Sequence, residues 1–143
     1  PPPPPILSGL VGSEMCIRDR DLVVSTTTSA SGVAKLGLVH PAVPAGSYQL
    51  RYSTGWNHNS TANNIEIRIV DSSATVIWEF IAEPADSGGA GPGGSDQRYY
   101  VSGFIEIVYA VATANSFRLF FNSQIAGITS ALWDTRLEFI RVE

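Results

Sequence analysis

Residues 48–56 read YQLRYSTGW, and large or β-branched side chains alternate with polar ones along the whole stretch. Successive side chains of a strand point to opposite faces, so this pattern predicts an antiparallel strand with one buried face and one solvated face. The predicted buried face holds Tyr48, Leu50, Tyr52, Thr54 and Trp56, and the other face holds Gln49, Arg51 and Ser53.

The same period of two recurs along the chain. It predicts strands over residues 65–69, 76–81, 117–122 and 133–139, with two weaker strands near 22–28 and 33–39. No eleven-residue window fits the spacing of an amphipathic helix, and turn residues such as Pro44 and Gly46 separate the strands. The sequence therefore predicts an all-β fold: a two-sheet antiparallel β-sandwich of the jelly-roll type with about eight strands.

The stretch 99–111 is also rich in strand-forming residues, but it is apolar on both faces. Such a strand is either central and covered on both sides, or its outer face contacts another subunit. We expect a subunit interface of a homo-oligomer here, because symmetric assemblies bury apolar patches. The predicted interface residues are Phe104, Ile105, Ile107, Val108 and Tyr109.

The first twenty residues, PPPPPILSGLVGSEMCIRDR, do not share the alternating pattern. Residues 10–20 resemble the translated sequencing-adapter read-through that occurs at the ends of metagenomic reading frames. A signal peptide is the alternative, but the segment lacks a basic start and a small-residue cleavage site. We expect residues 1–20 to be non-native and disordered, and residues 21–143 to form one jelly-roll domain.

Charge and composition exclude several classes of function. The net charge of the 143 residues is -4 and the basic residues are scattered singly, which argues against binding to nucleic-acid phosphates. The longest uncharged apolar run, residues 107–114, is far shorter than a membrane span. The single cysteine, Cys16, lies in the adapter-like segment, so residues 21–143 hold neither a disulfide nor a cysteine metal site. We expect no nucleic-acid or membrane partner.

The residues that carry catalysis in other proteins are sparse. His40 and His58 are predicted to be surface residues, and no HExxH, GxSxG or phosphate-loop motif is present. Four carboxylates surround a Gly-rich loop over 84–97, which we expect to be mobile and therefore unable to hold them at a fixed separation. They could serve a glycosidase or a calcium site only as minor alternatives. These carboxylates are Glu79, Glu83, Asp86 and Asp96. We expect no enzymatic activity, no catalytic residue, no metal and no cofactor.

Three tryptophans offer the best candidates for a ligand site. Trp78 and Trp133 are in phase with aliphatic residues, so we expect both in the core. Trp56 ends its strand beside polar residues, where an aromatic ring and amide donors could contact a sugar. The predicted glycan site is Trp56, Asn57, His58 and Asn59.

Three segments carry a family resemblance: PAGSYQLRYSTGWNHNSTANN (44–64), EPADSGG followed by SDQRYYVSGFIEI (83–107), and FRLFFNSQIAGITSALWDTRLEFIRV (117–142). Together they resemble small jelly-roll structural proteins of tailed bacteriophages, and more loosely the trimeric C1q/TNF-like domains. The resemblance implies a non-enzymatic virion component, such as a head-decoration, tail or fibre-associated protein. It also implies a homotrimer that assembles with other virion proteins. A carbohydrate-binding or adhesin module is the alternative, and the two are compatible if the virion protein binds a host glycan.

Overall fold

The computed structural model describes residues 16–85 and 98–142. Within these two ranges every regular element is a β-strand, and no helix is long and apolar enough to cross a membrane. The strands are β1 (Cys16–Asp21), β2 (Ser25–Thr27), β3 (Val33–Val43), β4 (Gly46–His58), β5 (Ile65–Asp71), β6 (Val76–Ala82), β7 (Tyr99–Tyr109), β8 (Thr113–Ser123) and β9 (Ser130–Arg141).

The strands form two antiparallel sheets. One sheet has the order β1, β9, β4, β7, and the short β2 pairs with β9 on the same edge as β1. The other sheet has the order β3, β8, β5, β6. When β1 and β2 are counted as two parts of one edge strand, each sheet has four strands, as in a jelly roll. The predicted fold class, an all-β two-sheet sandwich, is confirmed.

The core fills the space between the sheets with every second side chain of the central strands. At its centre the Phe139 ring stacks on Tyr48 at 4.9 Å and on His40 at 4.4 Å between ring centroids. The Tyr48 hydroxyl lies at the margin of this apolar layer and donates a hydrogen bond to the Pro44 carbonyl oxygen at 2.6 Å. The aliphatic and phenyl side chains that surround this stack are Leu38, Leu50, Ile65, Ile67, Ile69, Phe117, Leu119, Phe121, Leu132 and Leu137.

The N-terminal segment differs in part from the expectation of disorder over residues 1–20. Residues 1–15 lie outside the described residues, whereas Cys16–Asp21 forms β1 and pairs with β9 from Thr135 to Ile140. Most β1 side chains are exposed, although Ile17 packs against the core and Arg18 pairs with Glu138, so backbone hydrogen bonds supply much of its attachment. Backbone pairing is almost independent of side-chain identity. The adapter origin of the segment therefore stays a prediction.

A buried lysine attaches the residues at the end of β1 and just after it to the other sheet. Lys35, the single lysine of the sequence, has a side chain with no exposed surface. Its ammonium group donates to the Asp21 carboxylate at 2.9 Å, to the Ser25 hydroxyl at 2.9 Å and to the Val23 carbonyl oxygen. An ammonium group has three protons, so these three acceptors satisfy it fully. Lys35 thereby ties residues 21–25 to β3.

A β-bulge in β9 changes the face on which Trp133 lies. Asp134 has a positive φ of 48°, and the register between β4 and β9 shifts at this point. Because the bulge inserts one extra residue, Leu132 faces the core together with Leu137, and Trp133 lies on the outer face of the sheet. Trp133 is buried as expected, at 5% exposure, but its ring packs against Gly55 and Tyr100 on the outer face and not between the sheets. Simple alternation cannot anticipate the bulge that changes its face. Trp78 does pack against the core, with its ring 4.1 Å from that of Tyr52.

Candidate functional site

The outer face of β7 carries the most conspicuous exposed apolar residues of the first sheet. Tyr100, Phe104 and Val108 are 62%, 54% and 72% exposed, and they recur at every fourth residue. The alternate residues of β7, among them Ile105, Ile107 and Tyr109, pack against the core. We refer to Tyr100, Phe104 and Val108 as the β7 stripe.

This geometry divides the five predicted interface residues into two groups. Phe104 and Val108 belong to the exposed stripe, whereas Ile105, Ile107 and Tyr109 face inward and form part of the sandwich. The strand is not central, because β7 ends the order of its sheet. Tyr100 was missed by the sequence reasoning, although it lies four residues before Phe104 and therefore on the same face of a strand.

The backbone of β7 offers hydrogen-bonding groups as well as apolar side chains. The Val142 N–H donates to the Ser47 carbonyl oxygen at 2.9 Å, so the odd-numbered residues of β4 direct their peptide groups toward β9. The even-numbered residues, such as Tyr48 and Leu50, therefore bond to their β7 partners Ile107 and Ile105. It follows that the peptide groups of the remaining β7 residues point away from β4. These residues are Tyr100, Ser102, Phe104, Glu106 and Val108. Among the described strands, none pairs with this edge.

One residue of the stripe is held in place by a neighbour across the sheet. The Trp133 indole N–H donates to the Tyr100 hydroxyl oxygen at 3.2 Å, and the two rings meet edge to face at 6.2 Å. Gly55 lies between them in the sheet, opposite both residues. A Cβ atom on Gly55 would lie 2.3 Å from the indole nitrogen, so only glycine leaves room for the ring. Tyr100 is thus an exposed but positioned aromatic ring.

Apart from the β7 stripe and Trp133, the outer face carries mainly charged side chains. Glu138 on β9 accepts from Arg18 at 2.7 Å and lies 3.7 Å from Arg51, and Arg136 pairs with Asp134 at 3.0 Å. Exposed ion pairs of this kind add little stability, but they keep the surface solvated. The apolar surface is therefore confined to the β7 side of the sheet.

The predicted glycan site does not form a surface. Trp56, Asn57 and His58 are all buried, and only Asn59 is exposed. The Trp56 ring stacks on Tyr99 at 4.6 Å, where it has no free face for a sugar ring. The prediction is therefore wrong for these residues, because β4 continues to His58 and keeps them within the sandwich.

Both histidines are buried, contrary to the expectation of surface residues. His40 extends the core-facing alternation of Leu38, and its Nδ1 lies 2.8 Å from the Pro41 carbonyl oxygen. His58 Nδ1 lies 2.8 Å from the Ser130 hydroxyl, and no residue of the described ranges forms a hydrogen bond with its Nε2. Burial lowers the pKa of both imidazoles below the usual 6.5. The His58–Ser130 pair has the spacing of a base and a nucleophile, but both residues are fully buried and no substrate can reach them.

The carboxylates near the Gly-rich loop are only partly within the described residues. Glu79 binds Arg68 at 2.7 Å and Glu83 is exposed, whereas Asp86 and Asp96 lie outside the described ranges. Over residues 16–85 and 98–142, no three His, Cys, Asp or Glu side chains come together in a way that could hold a metal ion.

Comparison with known proteins gives only distant likenesses. No protein-family model matches the chain, and no curated protein matches it. The chain is similar to the VP2 subviral particle of infectious bursal disease virus, with 13% identity over 91% of this chain and 33% of that chain, and a TM-score of 0.48. The Gt strain structure of the same virus gives 11% identity, 90% and 33% coverage, and a TM-score of 0.45.

A protein of another kind is equally similar. The insecticidal delta-endotoxin Cry8Ea1 from Bacillus thuringiensis matches with 12% identity over 80% of this chain and 19% of that chain, and a TM-score of 0.45. The chain thus spans a third or less of the length of these structures. Likenesses with TM-scores below 0.5 and identities of 13% or less assign neither a family nor a function to this chain.

Proposed function

We propose that this chain is a non-enzymatic structural protein of a virion and that it acts by assembling with copies of itself and with other virion proteins. The observation that carries the proposal is the β7 stripe, an exposed apolar row on an edge strand whose other face completes the core. The family resemblance in residues 44–64, 83–107 and 117–142 narrows the proposal to a tailed bacteriophage. A head-decoration, tail or fibre-associated position fits a protein of this kind.

Assembly through the stripe has a simple physical basis. Tyr100, Phe104 and Val108 each leave more than half of their surface in water. Burying a large apolar side chain completely contributes about 1.5–3 kcal/mol, so a surface that covers all three gains several kcal/mol before the cost of association is counted. The charged remainder of the outer face gives no comparable gain.

The test is the mass of the full chain in solution, measured by light scattering on a sizing column across a dilution series. A reductant is included because Cys16 is free and exposed. We expect a stable oligomer, and the resemblance implies three chains. Val108→Lys should reduce the mass to that of one chain, 15.3 kDa. A wild-type chain that is monomeric at every concentration would contradict the proposal.

A matched control variant is available on the other sheet. Val39 on β3 is 73% exposed, almost the same as Val108 at 72%, and both lie on edge strands. Val39→Lys should leave the oligomer intact. If both lysine variants dissociate the oligomer equally, general charge repulsion explains the effect and the β7 stripe is not the interface.

A glycan-binding module is the second candidate, and Tyr100 is the observation that favours it. Its ring is exposed and is positioned by the Trp133 indole, as an aromatic platform for a sugar needs to be. Under this proposal the host-glycan contact lies at Tyr100 and not at Trp56. Binding to a glycan array that is lost in Tyr100→Ala but retained in Val108→Lys would support it. Absence of binding by the wild-type chain would argue against it.

A further inference from the structure

We propose that the free edge of β7 pairs antiparallel with β7 of a second copy of this chain, about a twofold axis through Phe104. The inference rests on the proposed assembly function and specifies how two copies meet. It places the contact on the backbone edge and the β7 stripe together.

Among the described strands, β7 is the one long edge strand without protection against pairing. β3, also eleven residues long, has two register shifts and contains Pro41. β6 has seven residues and a register shift, and β1 is six residues of mostly charged sequence. β7 runs for eleven residues in unbroken register with β4 and contains neither proline nor lysine. Natural proteins usually protect such edge strands against pairing with another chain, unless that pairing is part of their assembly.

The β7 sequence also allows a favourable register with a second copy of itself. Phe104 is the midpoint of the strand Tyr99–Tyr109, so a twofold axis at Phe104 overlaps both strands over their whole length. It places Ser102 opposite Glu106 and Tyr100 opposite Val108 of the second copy. Glu106, the single charged residue of β7, then faces a hydroxyl group. An axis at Glu106 would instead set two carboxylates against each other, which is unfavourable.

Backbone and side chains of β7 both favour this contact. The five residues whose peptide groups point away from β4 can form about ten interchain hydrogen bonds with the same five residues of the second copy. Their side chains, including the β7 stripe, then meet on the outer face as cross-strand pairs. The first sheet would continue without interruption from one chain into the next.

Cysteine crosslinking measures this register directly. The variants Ser102→Cys and Glu106→Cys are prepared in a Cys16→Ser background and oxidised separately and as an equimolar mixture. Residues 102 and 106 of different chains should be opposite each other, at a Cα separation that a disulfide can span. We expect a 102–106 disulfide in the mixture, identified by mass spectrometry, and little crosslinking of either variant alone. Efficient crosslinking of a single variant to itself, or none in the mixture, would overturn the inference.

A second pair of variants tests the backbone contribution. The Ser102 N–H points away from β4, so Ser102→Pro removes a donor from the free edge without breaking the β4–β7 ladder. It should halve the mass measured by light scattering while the circular dichroism spectrum stays that of the wild type. Ser102→Ala keeps the N–H and should remain a dimer. If Ser102→Pro stays dimeric, the edge is not the contact.

The outcomes separate this inference from the proposed function. A twofold strand pair is closed at two chains, because each edge is used once. A trimer would support assembly but overturn β7–β7 pairing, since β7 would have to contact a different surface of its neighbour. A monomer would overturn both.

Discussion

Strands β3 and β7 have the same length, eleven residues, and each forms an edge of its sheet. Their backbones differ completely in regularity. β3 shifts register between Ala34 and Leu36 and again between His40 and Val43, whereas β7 keeps one register with β4 from end to end. The difference shows that this sequence can interrupt an edge strand where an open edge is unwanted. It does so on β3 and not on β7.

The irregular positions of β3 are also the positions where polar groups enter the protein interior. Lys35 lies at the first register shift and reaches Asp21 and Ser25, and His40 precedes the second shift and reaches Tyr109. β7 has no buried charge of its own. The stability of the β3 edge should therefore depend on a few polar contacts, and that of β7 on close packing against its neighbours.

The largest expected effect is the loss of the Lys35 ammonium group. Lys35→Met keeps the length of the side chain but leaves the Asp21 carboxylate, the Val23 carbonyl and the Ser25 hydroxyl without their shared donor. We expect the free energy of unfolding to fall by about 2–4 kcal/mol, near the lower end for a broken buried pair because Asp21 is partly exposed. Urea unfolding followed by tryptophan fluorescence measures the loss.

The control for Lys35 is Asp21→Asn. An asparagine oxygen can still accept from the ammonium group, so the loss should be only about 1 kcal/mol. A Lys35→Met chain within about 0.5 kcal/mol of the wild type would show that the buried ammonium does not secure the β3 edge.

The next largest effect is the loss of stability when a glycine of an edge strand is replaced by alanine, which differs between β7 and β3. A Cβ atom on Gly103 of β7 would lie 2.5 Å from the Tyr52 hydroxyl oxygen, whereas one on Gly37 of β3 would lie 3.4 Å from the flexible Arg118 side chain. Tyr52 packs against Trp78 and has little room to move. Gly103→Ala should therefore destabilise the protein by about 1–3 kcal/mol, as overpacking does.

Gly37→Ala should change the stability by no more than about 0.5 kcal/mol in either direction. Thermal and urea unfolding of the two variants side by side make the comparison. If the two substitutions cost the same, close packing does not distinguish β7 from β3.

The sequence predicted the fold well because alternation is a local signal. Residues 48–56 alternate through most of β4, and the second sheet follows from the same period in 65–69 and 117–122. Burial in a sandwich enforces that period wherever a strand is regular. Phe104 and Val108 could also be predicted to share one face of their strand. Tyr100, four residues before Phe104, lies on that same face and could have been predicted in the same way.

The errors arise where the pairing with distant strands overrides local pattern. Trp133 is buried on the outer face of its sheet and not between the sheets because of a bulge at Asp134, which depends on how β9 meets β4. His58 and Asn57 looked like loop residues beside an asparagine-rich stretch, but β4 extends through them and buries them. The apolar core is predictable from the alternation of side chains along the sequence, whereas a buried polar residue requires knowledge of its partner, such as Ser130 for His58.

The smallest expected effect is a pH dependence of the free energy of unfolding. It arises from the hydrogen bond between His40 on β3 and Tyr109 on β7. The Pro41 carbonyl can only accept, so His40 Nδ1 carries the proton and Nε2, 2.9 Å from the Tyr109 hydroxyl oxygen, accepts from it. Burial among Phe117, Phe139 and Tyr109 holds the pKa of His40 below 6.5 in the folded chain. Below pH 6.5 the unfolded chain therefore binds a proton that the folded chain does not.

Because the unfolded chain binds the extra proton, lowering the pH favours unfolding. The free energy of unfolding should be constant above about pH 7, fall as the pH drops below 6.5, and level off once the pH passes the lower pKa of the folded state. His58, whose pKa is lowered for the same reason, adds to the fall in the same window. In His40→Phe the fall should be shallower than in the wild type, because one of the two titrating groups is gone. Urea unfolding at several pH values between 5 and 8 measures both slopes, and equal slopes would mean that His40 takes up its proton without disturbing the contact between β3 and β7.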